Sequence, residues 1–140
     1  MSFQEKSAWV MVVGLVVSTV LYAFLVYVMS SAAGQLVPLH IPVLVAFTVV
    51  LTLIAVVGHI VIAIFSPKEA NARADEREQR IIDKSGYLSS NVLGFGVITS
   101  LMVYLFFYNG ELLFYGVFGS LIVAQILEYM LQIYYQRRAI

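Results

Sequence analysis

Two side chains in otherwise apolar runs have the types for chemistry, Glu128 and His59. A carboxylate near bilayer depth costs about 2.5–3.5 kcal/mol on insertion scales, so such a residue is a functional candidate by default. Glu128 lies about two helical turns before the end of its run, and His59 lies at a similar height in another. Both sit on stripes of small or weakly polar residues, which brings a Glu128–His59 contact within reach inside a bundle. Such a pair could respond to protons, hold a ligand or clasp two helices. Gln125 joins them as a ligand or proton-coupled candidate. The other readings of Glu128 are a side chain that reaches back toward water and one that faces a second copy of the chain.

The second chemical feature is a dense charge cluster, Asp75-Glu76-Arg77-Glu78 with Arg80 and Ile81. It reads as a solvated helix surface or as a docking face for a cytoplasmic protein, with Asp75, Glu76, Arg77 and Arg80 as its contacts. Residues 67–86 carry five acids and five bases, so the segment does not read as a polybasic lipid patch.

Other chemistry is excluded or unsupported. With no cysteine there is no disulfide, thiolate metal site or cysteine nucleophile. The histidines and carboxylates show no metal spacing. Nucleophile-elbow, zinc and phosphate-loop patterns are missing, and Gly94-Phe95-Gly96 is too weak to be a nucleotide loop. The expectation is a non-enzyme with no cofactor and no metal. A formal net charge of zero gives no reason to expect direct nucleic-acid binding.

The elements that position these residues are set by hydropathy. Of 140 residues, 61% are hydrophobic and 11% charged, against about 25% charged in a soluble domain. Four runs, at about 7–30, 41–65, 87–108 and 112–135, each reach the ~20 residues needed to cross a hydrocarbon core. Backbone groups in lipid must be satisfied internally, so these runs are helices. The first is too long for a signal-peptide core of about 7–15 residues, although Ser30-Ser31-Ala32 loosely imitates a cleavage site.

Gly34, Pro38 and Pro42 break the chain after the first run, and Asn109-Gly110 makes the second short turn. The connector 66–86 reads as a helix. Ser66-Pro67-Lys68-Glu69 has a capping-box pattern with proline at the first helical position. Glu69 with Arg73 and Glu76 with Arg80 are favourable pairs one turn apart. A bend is expected near Gly86. All eight lysines and arginines fall before the first run, in the connector or after the fourth run. The positive-inside rule then puts both termini and the connector in the cytoplasm. Trp9, Tyr134 and Tyr135 fit the same interface.

Helices in lipid associate through small residues and polar contacts. Gly116, Ser120 and Ala124 recur every fourth residue, and Glu128 and Gln132 continue that stripe. Gly14 and Ser18 in the first run serve as packing positions. Gly94 is the packing position in the third, on a stripe with Gly86 and Ser90, and Gly96 and Ser100 form a second set there. Thr48, Thr52, Ala55 and His59 make the stripe of the second run. Phe106, Phe107, Phe114 and Phe118 are left to face lipid.

The Asp75-Glu76-Arg77-Glu78 motif, followed by Ile81 and Ile82 and lying between two hydrophobic hairpins, resembles one found in small prokaryotic membrane proteins of unknown function. Those four-span families carry an Asp-Glu-Arg-rich loop between their second and third spans, and some are encoded beside small helix-turn-helix regulators. The resemblance implies no activity and directs attention to Asp75, Glu76 and Arg77.

The expected architecture is all-α. It is a single integral membrane domain over 1–140, a four-helix bundle with short external turns and a charged cytoplasmic connector helix. The expected location is the cytoplasmic (inner) membrane, with lipid, a possible homodimer and a possible cytoplasmic regulatory protein as partners. The expected function is a binding or regulatory module. The alternative is an oligomeric transporter or channel for a small solute or ion, using Glu128 and His59.

Overall fold

The computed structural model describes residues 2–70 and 75–138. Among them are four long helices and one single-turn helix. In chain order they are α1 (Phe3–Ala33), α2 (Ile41–Phe65), α3 (Pro67–Ala70), α4 (Glu76–Phe107) and α5 (Gly110–Arg138). Every long helix is long and apolar enough to cross a membrane.

The breaks have local causes. Gly34 takes a left-handed φ of 69° after α1, a conformation that needs no Cβ. Tyr115 donates its hydroxyl to the Val37 carbonyl at 2.9 Å, tying the following loop to α5. Tyr108, not Asn109 or Gly110, takes the left-handed turn position after α4, at φ 49°. Asn109 instead caps α5, its Oδ1 accepting from the Leu112 amide at 3.1 Å.

The connector differs from expectation in two ways. The helix start with a full capping box is Asp75 with Glu78, whose side chains accept from the amides of the first turn and of Asp75. Ser66 ends α2, and its hydroxyl accepts from Lys6 Nζ at 2.8 Å. The expected bend at Gly86 does not occur. The helix runs unbroken from Glu76 to Phe107, and the Ser89 and Ser90 hydroxyls donate to the Gly86 carbonyl at 3.0 and 2.7 Å. Arg80 lies 3.9 Å from Glu76, a pair too exposed to contribute much. The expected Glu69–Arg73 pair lies outside the described residues.

Packing follows an antiparallel order. α1 and α5 form the middle, α2 flanks α1, and α4 flanks α5, with no comparable pairing of α2 with α4. The core joins Leu15 and Tyr22 of α1, Phe47 of α2 and Ile122 of α5. Phe118 belongs to this core and not to the periphery. Its ring centroid lies 5.3 Å from both Tyr22 and Phe47, and Phe114 stacks on it at 5.6 Å. Phe106 and Phe107 do face outward, 80% and 70% exposed.

The α4–α5 seam is the tightest. A Cβ on Gly96 would overlap the Ser120 hydroxyl, and one on Gly116 would overlap that of Ser100. Each glycine thus receives the serine of the other helix. The stripe Gly116–Ser120–Ala124 faces α4 as its spacing indicates, but α4 answers with Gly96 and Ser100. Gly94 is exposed, with nothing within 4 Å of where its Cβ would be, and so is not a packing position. On the other flank, Gly14 meets Ile54 of α2, and Gly58 leaves room for Val10 that a Cβ would occupy. Ser18 is buried at the α1 seam.

Candidate functional site

Antiparallel pairing brings the first turns of α4 against the last turn of α5. On α4, Arg77, Ile81 and Lys84 recur at spacings of four and three, which puts them on one face. On α5, Tyr135 and Arg138 are three apart and share a face for the same reason. These residues, with Asp75, Glu76 and Arg80, line an open groove of about 540 Å³. Ile81 is buried and forms the apolar floor with the Tyr135 ring.

The charges in the groove are fixed by local contacts. Asp75 is the helix cap, with Oδ1 accepting from the Glu76 amide at 2.7 Å. Lys84 Nζ sits over the Tyr135 ring, 4.4 Å from its centroid, and the Arg138 guanidinium lies over Tyr134 at 4.9 Å. Both are cation–π contacts, which hold a cation without neutralising it.

A smaller cavity of about 280 Å³ lies on the other side of the α4 N-terminus, lined by Ser2, Glu5, Asp75, Arg77, Glu78, Ile81 and Gln136. Beside it Arg137 Nε donates to Glu5 Oε1 at 2.8 Å, and Ser2 donates to Gln136 Oε1 at 3.0 Å. The start of α1 is thereby clamped to the end of α5.

Comparison with family models, curated proteins and solved structures finds no match to this chain. The site therefore rests on its own geometry.

Glu128 and His59 are not brought together. The reason is architectural: at the level of His59 the start of α1 lies between α2 and α5, with Ser7 against His59 and Ala8 and Val12 against Ile133 and Tyr129. His59 Nδ1 lies 2.7 Å from the Ala55 carbonyl and Nε2 lies 2.7 Å from the Ser7 hydroxyl. A carbonyl only accepts, so Nδ1 carries a hydrogen, and in the neutral ring the Ser7 hydroxyl donates to Nε2. His59 thus clasps α2 to α1. Glu128 is half-buried against α4, where its Oε2 lies 3.3 Å from the Ser89 hydroxyl, whose single hydrogen is shared with the Gly86 carbonyl. Gln125 is half-buried on α5, and its side chain makes no hydrogen bond with the described residues.

The four docking candidates of the charge cluster, Asp75, Glu76, Arg77 and Arg80, do converge on one groove. Lys84, Tyr135 and Arg138 complete it and were not legible as site residues. Their signal was the antiparallel register, which sets the segment after the fourth run beside the one before the third. Glu5 was also missed, because an acid near a chain start looks like any solvated charge.

Proposed function

We propose that this protein is an integral membrane protein of the binding class, whose site is the groove between the α4 N-terminus and the α5 C-terminus. The observation that carries this is the convergence of Asp75, Glu76, Arg77 and Arg80 with Lys84 and with Arg138 at the end of α5 on one open, charged groove. Outward-facing Phe65, Phe95 and Phe106, at 82%, 76% and 80% exposure, suit a surface covered by lipid rather than water. The distribution of lysine and arginine supports a cytoplasmic orientation of the groove and both termini in the inner membrane. The resemblance through the Asp75-Glu76-Arg77 motif directs attention to the same groove.

Transport through Glu128 receives less support. A path from Glu128 to the far end of the α4–α5 seam must pass the interlocked pairs Gly96–Ser120 and Ser100–Gly116, where a single added Cβ would not fit. Glu128 is better read as one polar contact of that seam.

In-cell photo-crosslinking separates the two readings. A photoreactive residue replacing Glu76 should give a discrete adduct. Arg77→Glu with Lys84→Glu should abolish it, and Glu128→Gln should leave it unchanged. Loss with Glu128→Gln but retention with the double charge reversal would contradict the groove as the working site.

A further inference from the structure

We propose that the groove is a phosphate site for the headgroup of an anionic phospholipid of the cytoplasmic leaflet, an inference that rests on the binding reading above. The linear balance of acids and bases in residues 67–86 hides this, because folding sorts the charges. Four cations, Arg77, Arg80, Lys84 and Arg138, line the groove against two acids, Asp75 and Glu76. Arg138 comes from α5, outside that segment. Asp75 is engaged as the helix cap, and Glu76 makes only an exposed contact with Arg80, at 3.9 Å.

Lys84 and Arg138 differ from these. Among the described residues their partners are the Tyr135 and Tyr134 rings, with no carboxylate. An ammonium over a ring still has donors directed away from it, and a guanidinium keeps its edge free for a phosphate. The two cations also stand at the right height. Lys84 precedes the apolar run that begins near Tyr87, and Arg138 follows the one that ends near Tyr135. Tyrosines settle at headgroup level, so the cations they carry are held there too.

The floor decides between a lipid and a soluble phosphate. Ile81 and the Tyr135 ring offer apolar surface beneath the cations, which suits the glycerol and upper acyl part of a lipid. A free phosphate would leave that surface wet. A volume of about 540 Å³ falls in the ordinary range of small-molecule sites.

The test uses the full chain in an uncharged detergent, titrated with phosphatidylglycerol, phosphatidylcholine or glycerol 3-phosphate and read by native mass spectrometry. Phosphatidylglycerol should be retained on the order of tenfold more tightly than phosphatidylcholine, and higher salt should reduce the difference. Lys84→Gln with Arg138→Gln should remove most of that preference, while Glu76→Gln should increase it. Equal retention of the two lipids would overturn the proposal. So would a preference untouched by the double substitution, or glycerol 3-phosphate binding as tightly as the lipid. If the double variant does not fold, the Glu76→Gln gain and the salt dependence decide in its place. Carbonate extraction of membranes keeps the outcomes separate. A chain released by carbonate contradicts the membrane reading, whereas a retained chain without lipid preference contradicts this inference alone.

Discussion

Gly96→Leu should separate α4 from α5, and Gly94→Leu should not. The two glycines are two residues apart on one helix and differ only in what they face. Beyond Gly96 stand the hydroxyl and Cβ of Ser120, with the Ser120 Cβ 2.6 Å from an added Cβ, and no rotamer change moves that atom. Beyond Gly94 there is open space. Overpacking a fitted interface costs about 1–3 kcal/mol, and the upper end applies here because the overlapped Ser120 Cβ moves only with its backbone. On the proposed membrane reading the helices gain little from hydrophobic burial, so this fit is a main source of their pairing. Gly94→Leu should stay within about 0.5 kcal/mol. Unfolding by titration of a denaturing detergent, followed by helical signal, gives both numbers. Equal losses at the two positions would contradict the interlocked seam.

Arg137→Ala should destabilise the fold, and Glu5→Gln should largely restore it. The Glu5 side chain is only 9% exposed and accepts from Arg137 Nε at 2.8 Å. Removing the guanidinium leaves a carboxylate short of water and without its cation, a change that costs about 3–5 kcal/mol when both partners are buried. Arg137 is 58% exposed, so solvent screens the pair and about 1–3 kcal/mol is expected. Part of that loss is packing, since the guanidinium also lies 5.9 Å from the Trp9 ring centroid. Glu5→Gln in the Arg137→Ala background removes the uncompensated charge while keeping a hydrogen-bonding group. Stability of the single and double variants by the same titration completes the cycle. An Arg137→Ala change within error of the parent would show that the clamp between α1 and α5 contributes nothing.

The sequence made the four long helices legible because each apolar run is long enough to span and is broken by glycine, proline or polar residues. The Gly116–Ser120–Ala124 stripe was legible for a similar reason, since spacing by four fixes a helical face. Which residues answer that stripe depends on the register and rotation of α4. Period alone does not separate Gly94 from Gly96, and only the second faces α5. The Glu128–His59 pairing failed on the same ground. Matching heights and small-residue stripes say nothing about which helix lies between. The box at Asp75 and Glu78 was readable by the same rule that drew attention to Ser66, but Ser66 closes α2 and takes Lys6 as its partner. Gly86 looked like a bend because glycine usually marks one. Within α4 it stays helical, and its carbonyl receives the Ser89 and Ser90 hydroxyls.

Side-specific labelling tests the membrane-anchored groove most directly, and the chain has no cysteine of its own to interfere. Single cysteines replacing Gln35, Asn109 and Glu78 are exposed to a membrane-impermeant thiol reagent in intact cells and again after the membrane is opened. The cysteines at Gln35 and Asn109 should react in intact cells, and the one at Glu78 only after opening. Reaction at Glu78 from outside would put the groove on the wrong face. Reaction at only one of Gln35 and Asn109 would contradict four spans.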